Sequence, residues 1–483
     1  MLIRNLSTTY LLLFIVLVSF IVRVWGISKH GPWHDERVTI CIANGLFYAN
    51  KPNGYEFTSN SFRSQNKIEN VLQSTIKDNG NSIFYNVVLH YWKNVFGNSD
   101  FALRFLSVLS GLLLVFIGYR FSKSMFNDSR IGLLTAFLFA IQPMFIEDAQ
   151  KIRAYAFATL LSFCSSYILL LIIKLKNNAN SYYLFAGYVI LATLSLLSHY
   201  LTSYILIAHF IIFVALVRDK HIWLKYIIAG ACICLLFLCW LFVGGFEGLK
   251  VLEGQYALMA DKVAKFSEGD DPYLMPVNTY NIVVGWVQVF LQIMGNSLQD
   301  FGLRIREIGA LVFIPLGAII VTLFKTLKGA RRDKLLFLTI ITFTQILYAT
   351  LNAFREGHCR SFQTTYAVFA SPTAIMLLAF AILYLIRNRK LKIIGNVILT
   401  FTVVTMFISI YPTYSDIHGD LSPRPENPYY NEAKLIEKSY RIGDTLYFNN
   451  YKDAMMVNLY LNKSVNTIGI VDNNKGVEII MPR

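Results

Sequence analysis

Charge is scarce in this chain. Asp, Glu, Lys and Arg together make up 15% of its 483 residues, against 55% hydrophobic residues and a mean hydropathy of +0.49. That scarcity excludes an ordinary soluble domain and points to a polytopic membrane protein. Acids are scarcer than bases, 29 against 44, giving a formal charge of +15. In a membrane chain such an excess belongs to cytoplasmic loops, so no nucleic-acid partner is expected. Cysteine is sparse too: the six present form no CxxC pair and no zinc spacing. Cys164, Cys232, Cys234 and Cys239 lie in apolar runs and read as plain hydrophobes. Cys41 and Cys359 fall in loops, and nothing in the sequence requires them to pair. No small-x-small cleavage site follows the first apolar run, Leu6–Val24, so that run reads as an uncleaved span rather than a signal peptide. No internal repeat is visible, which argues against an inverted-repeat transporter.

What is abundant is apolar sequence in span-length runs, each needing about 20 residues. Candidate spans cover 6–27, 101–120, 130–146, 154–173, 182–198, 200–217, 223–243, 305–325, 335–353, 364–386 and 392–411. The expected fold class is therefore an all-α polytopic membrane protein with about eleven transmembrane helices, in the range of about 10–13. Ser82–Phe96 and Thr279–Met294 are apolar and aromatic but short, and read as interfacial helices. With Arg4 inside, alternate loops carry Arg120, Lys123 and Arg130; Lys174 and Lys176; Arg218, Lys220 and Lys225; Lys325, Lys328, Arg331, Arg332 and Lys334; and Arg387, Arg389, Lys390 and Lys392. Each of these loops is short and basic, the positive-inside pattern of a cytoplasmic face. The transmembrane module would span 1–411. Residues 412–483 would form a small external α/β appendage, with a Pro-rich linker at Ser422–Pro428, a helix near Glu432–Ser439 and a strand at Thr445–Phe448.

The opposite, external side then holds longer loops. The first, 28–100, contains GPWHDERVT, in which Asp35 and Glu36 sit between His34 and Arg37. A short turn carries Glu147 and Asp148, another His199 and Tyr200, and a third FREGHCR, Phe354–Arg360. The loop at 244–304 adds Glu247, Glu253, Asp261, Glu268, Asp270 and Asp271. Taken singly, each cluster reads as a charged span end. Together they predict one external cavity with acids on one side and bases on the other.

These motifs, in this order, resemble the GT-C membrane glycosyltransferases that use polyprenyl-phosphate sugars. The nearest branch is the one that holds protein O-mannosyltransferases and the aminoarabinose transferase of lipid A, a glycosyltransferase family 39-like group. The resemblance rests on Asp35-Glu36, on IFYNVVLHYWKNVFGNSDFALRFLSVLSG (Ile83–Gly111), on EDAQKIRAYAFATLL (Glu147–Leu161), on Arg360 followed by a span containing Pro372, and on RIGDTLYF (Arg441–Phe448). It covers most of the chain. It departs from the family at Gly80-Asn81-Ser82, where such enzymes often have Pro-Pro after a charged residue or His. That region helps bind a metal in the aminoarabinose transferase. The matching acid is missing here and Asp78 is displaced, so a divalent metal cofactor stays an open question.

The resemblance implies transfer of a sugar from a polyprenyl-phosphate carrier to an acceptor outside the cytoplasm. The chemistry needs one carboxylate to take the acceptor's proton, and no acid for the phosphate leaving group. Asp35 is the expected base, with Glu36 beside it to orient a neighbour. Adjacent residues do not make a glycosidase pair. Asp148, or alternatively Glu147, would bind substrate hydroxyls; a helix N-cap is the structural reading of the same residue. Arg153 and Arg360, then Lys151 and Arg355, are the cations for the donor phosphate, since a guanidinium matches phosphate oxygens; snorkelling to headgroups is their structural reading. His199 and His358 are polar cavity residues, or metal ligands if a metal is present. Tyr155 would contact the sugar. The expected setting is a bacterial inner membrane with undecaprenyl phosphate as carrier and a glycan, lipid or protein acceptor. The competing readings are a ligase or polymerase of lipid-linked glycans, and a lipid-linked sugar flippase.

Overall fold

A computed structural model describes residues 2–48, 55–175, 181–264, 275–295, 317–322, 325, 332–414, 427–441, 444–448, 451–461 and 465–469. Most of the expected span at 305–325 lies outside them. So do Lys176, Glu268, Asp270, Asp271, Lys328, Arg331, Gly443 and most of the 422–428 linker.

Six helical runs are long and apolar enough to cross a bilayer: Ser7–Val24, Asp100–Phe126, Tyr155–Leu175, Lys220–Leu258, Arg332–Glu356 and Lys392–Tyr411. Tyr182–Ser198, Tyr200–Leu216 and Ser371–Arg387 are apolar but shorter. The described residues thus carry six spans by length and composition, or seven counting one bent pair, where about eleven were expected.

The bent pair shows how the sequence shapes the bundle. Helix α7 (Ser129–Ile141) and helix α8 (Pro143–Ala149) occupy one expected span but meet at 57°. Pro143 has no N–H to give to Phe139, four residues back, so the ladder breaks there. Arg23, in helix α1 (Leu2–Val24), replaces the lost donors: its Nη2 donates to the Phe139 carbonyl at 3.0 Å and its Nη1 to that of Ala140 at 3.0 Å. A buried arginine inside a span is thus used as a helix cap.

The long first loop folds into helices. Helix α2 (His34–Ala43) starts within GPWHDERVT, so Cys41 is helical rather than in a loop. Helices α3 (Ser59–Ser64), α4 (Ile68–Asp78) and α5 (Ile83–Phe96) follow. At 14 residues, α5 is about 21 Å long and too short to span, as is Thr279–Ile293. Between α4 and α5 the chain turns at Gly80 (φ +73), whose carbonyl accepts from the Tyr200 hydroxyl at 2.5 Å. The helix Phe246–Ala264 crosses this turn so closely that a Cβ on Gly248 would lie 2.6 Å from the Gly80 Cα.

The C-terminal residues form the helices Pro428–Ser439 and Tyr451–Tyr460 and the strands β2 (Thr445–Phe448) and β3 (Asn466–Gly469). The sheet is not self-contained. Its order is β1-β3-β2, and β1 (Tyr55–Thr58) comes from the first loop and pairs antiparallel with β3. The expected appendage is therefore stitched to that loop. Cys41 packs there against the Met456 sulfur at 3.7 Å, and both Cys41 and Cys359 are free.

Candidate active site

Successive helical residues are about 100° apart, so α2 sends Asp35 and Glu36 into different surroundings. Glu36 turns inward and is fully buried. Its carboxylate accepts from Arg104 Nε (3.2 Å) and Nη2 (3.1 Å), from the Ile152 N–H (2.8 Å) and from the Trp33 N–H (3.1 Å). Arg104, in helix α6 (Asp100–Phe126), also donates to the carbonyls of Ile27 (2.6 Å) and His30 (2.7 Å). One ion pair therefore fixes the chain entering α2, the start of α6 and the 150–154 loop. Glu36, expected to orient a neighbour, holds Arg104 and the Ile152 N–H in place.

Asp35 faces outward, with 38% of its side chain exposed. Arg153 Nη2 lies 3.7 Å from its Oδ2, while Arg153 Nη1 donates to Thr39 Oγ1 at 2.9 Å and to the Asp35 carbonyl at 3.3 Å. Burial works against the Arg153 cation, but Asp35 and Tyr155 outweigh it and hold the guanidinium above its usual value. Arg153 Cζ sits 5.8 Å from the centre of the Tyr155 ring. From there a run of rings continues: Tyr155 to His199 at 5.3 Å, and His199 to Tyr366 at 6.5 Å and to Phe369 at 5.2 Å. Tyr366 in turn feels the charges of both Arg360 and Asp35. An ion pair, ring contacts and electrostatic coupling thus link Asp35, Arg153, Tyr155, His199 and, through Tyr366, Arg360. The Arg360 side chain makes no hydrogen bond or ion pair with the described residues.

Asp78, set aside in the sequence, belongs to this group. It ends α4, half-buried, and its charge couples to Arg153 and Asp35; burial first, then Asp35, hold its carboxyl above the usual range against the pull of Arg153. The sequence signal was present in the Asp78-Asn79-Gly80 turn, which stops α4 and brings its last residue toward the cavity. Thr39, one turn after Asp35, is the other participant that sequence reasoning missed.

Other expected residues stand apart. Lys151 Nζ lies 2.6 Å from Glu147 Oε1 and 3.6 Å from Asp148 Oδ1, so these three form an ion-pair cluster of their own. Asp148 is 2% exposed, which keeps its carboxylate from a sugar in this conformation. Arg355 is exposed on the last turn of the Arg332–Glu356 helix. His358 is buried and caps the short turn Cys359–Phe362, its Nδ1 accepting from the Arg360 N–H at 3.4 Å. Burial and Arg360 hold that imidazole below its usual value.

Among the described residues, no group of three or more His, Cys, Asp or Glu side chains is placed to hold a metal ion. The Arg153 cation acts on both Asp35, at 3.7 Å, and Asp78. His199 Nδ1 accepts from the Leu201 N–H at 3.3 Å, which leaves the ring proton on Nε2, and burial with Arg153 pushes this imidazole down to about 3. It is a neutral hydrogen-bond donor.

With this geometry in hand, the chain can be set beside known proteins. Residues 81–242 match the family model for dolichyl-phosphate-mannose-protein mannosyltransferase. That stretch contains Arg104, Arg153, Tyr155 and His199. Among solved structures, ArnT from Cupriavidus metallidurans in the apo state is similar at a TM-score of 0.57 and 12% identity, over 95% of this chain and 86% of that one. The same protein bound to undecaprenyl phosphate gives 0.55. The Archaeoglobus fulgidus oligosaccharyltransferase gives 0.54 at 14% identity, over 90% of this chain and 56% of that one, so the present chain spans little more than half of its length. No curated protein sequence matches. The fold is that of the GT-C membrane glycosyltransferases, as the motif order implied. The chain is an integral, multi-pass membrane protein.

Proposed function

We propose that the protein is an inverting glycosyltransferase that moves a sugar from a polyprenyl-phosphate carrier to a hydroxyl-bearing acceptor. The observation that carries this reading is the half-exposed Asp35 carboxylate, held 3.7 Å from Arg153 and coupled, with Arg360, to the charge environment of Tyr366. The acceptor oxygen attacks the anomeric carbon and the bond from that carbon to the phosphate oxygen breaks. Asp35 takes the acceptor's proton as the new bond forms, and polyprenyl phosphate leaves as a monoester. Arg360 receives the growing phosphate charge. Arg153, 3.7 Å from its Oδ2, fixes the Asp35 rotamer, and neutral His199 offers its Nε2–H to a sugar or phosphate oxygen.

The short basic loops support an active site on the external face, with undecaprenyl phosphate in a bacterial inner membrane as the setting. Undecaprenyl phosphate bound to a protein of the same fold supports a carrier of that class. A flippase reading has less support. Arg23, Arg104 and His209 lie in apolar helices, but each is held by local hydrogen bonds, His209 between Ser166 (2.9 Å) and Tyr188 (3.1 Å), instead of lining a path. The test is sugar transfer from defined undecaprenyl-phosphate sugars into a membrane extract by the purified protein and by its Asp35→Asn form. The wild-type protein should transfer at least one of them and the variant should not.

A further inference from the structure

The C-terminal helices reach back to the helix that carries Asp35. Helix α2 has ten residues, too few to hold its shape unaided in water. Glu36 secures its inner face. On the outer side, two residues beyond Asp35, Arg37 Nη1 donates to the Tyr429 hydroxyl at 2.5 Å, and its Cζ lies 5.7 Å from the centre of the Tyr429 ring. The Tyr429 hydroxyl passes its own proton to Asp453 Oδ1 at 3.0 Å, and Asp453 stands 4.0 Å from Arg37. Burial and Asp453 raise the phenol further above its usual value, so it remains a donor across the physiological range.

Tyr429 is itself anchored. The side chain of Asn427 accepts from the Tyr429 N–H (3.1 Å) and the Tyr430 N–H (3.2 Å). Its Nδ2 donates to both oxygens of Asp100, at 3.0 and 2.9 Å, and the Tyr460 hydroxyl donates to the same carboxylate at 3.1 Å. Asp100 is the first residue of α6, the helix that supplies Arg104 to Glu36. The polar contacts therefore close a ring. It runs from α2 through Arg37, Tyr429, Asn427 and Asp100 into α6, and returns through Arg104 and Glu36 to α2. Asp35 sits on the arc between the two anchors. A connected network of this kind sets an angle more firmly than one pair can.

We propose that Tyr429 is a positioning residue for the transfer reaction: through Arg37 it sets the angle at which α2 presents Asp35, so the C-terminal segment takes part in catalysis from outside the cavity. This inference rests on the reading of Asp35 as the base. It differs from a purely structural tether in what it predicts for turnover. A base displaced by a fraction of an ångström loses rate while the donor still binds.

The test uses the full-length protein in lipid nanodiscs and sugar transfer from an undecaprenyl-phosphate sugar. Tyr429→Phe keeps the ring and its packing and removes only the hydroxyl. It should lower kcat about tenfold and leave the donor KM within about twofold. Arg37→Lys keeps the charge and shortens the reach, and should lower kcat to a similar degree. Because the two residues act through one contact, the double variant should be no slower than the worse single one. An unchanged kcat in Tyr429→Phe, a change confined to KM, or fully additive losses would each overturn the proposal. Should Tyr429→Phe fail to fold, the Arg37→Lys kcat and KM decide in the same way. Asp35→Asn run in parallel separates the two claims. If it alone is inactive and the Tyr429 and Arg37 variants turn over normally, the base reading stands and only this inference falls. If Asp35→Asn transfers normally, the base reading falls, and this inference with it.

Discussion

Arg104 grips Glu36 through Nε at 3.2 Å and Nη2 at 3.1 Å, and both side chains are shut off from solvent, at 1% and 0% exposure. The pair joins residues 68 positions apart, and the Ile152 N–H completes the join to the loop carrying Arg153. Removing one partner strands the other as an uncompensated buried charge, at a cost of about 3–5 kcal/mol. Arg104→Met should therefore lower the thermal midpoint of the purified protein far more than Asp35→Asn does. The pair replacement Glu36→Leu with Arg104→Met should recover part of the loss. The check is a thermal-shift series in detergent.

A second prediction concerns the broken span. Arg23 stands in for the N–H that Pro143 lacks. Arg23→Met leaves two buried carbonyls short of donors, a loss of about 2–4 kcal/mol. Pro143→Ala returns the missing N–H to Phe139 and should destabilise less in the Arg23→Met background than in the wild type. Additive effects of the two changes, read by thermal shift, would contradict the capping role.

His199 gives a pH signature. Its pKa falls from 6.5 to about 3 on folding, by burial first and the Arg153 cation second. The folded state therefore favours the neutral ring, and this contribution is complete above the unfolded value of 6.5. It is lost as pH falls from 6.5 toward 3, where the unfolded chain takes up a proton that the folded one refuses. His199→Gln should flatten the acid limb of a stability profile between those values and leave the profile above pH 7 unchanged in slope.

Arg360 carries the donor-phosphate assignment. Arg360→Met should lower kcat/KM for transfer by about 100-fold or more, and Arg360→Lys should recover only part, since a point charge lacks the guanidinium's paired donors. Equal activity of the Met variant and the wild type would remove Arg360 from the reaction.

Much of this arrangement was legible in the sequence because it is written in local terms. Scarce charge, span-length apolar runs and basic short loops placed Asp35, Arg153, His199 and Arg360 on one side before any helix was positioned. The separate roles of Asp35 and Glu36 were readable in outline, but the partner of Glu36 was not, because Arg104 arrives from 68 residues away. Asp148 looked available because a carboxylate at a span end usually is; the break at Pro143 and the pull of Lys151 bury it. The pairing of β1 with β3 joins residues more than 400 positions apart, and no local pattern encodes such a register. Among the described residues several expected spans are apolar helices of no more than 17 residues, and hydropathy alone does not separate such a helix from a full span.

The central claim is that Asp35 removes the acceptor's proton. Its most direct measurement is the single-turnover rate of sugar transfer from an undecaprenyl-phosphate sugar by Asp35→Asn, with donor binding and thermal midpoint measured on the same preparation. The expected rate is about 100-fold or more below wild type, with donor affinity and midpoint unchanged. A folded Asp35→Asn protein that transfers sugar at the wild-type rate would contradict it.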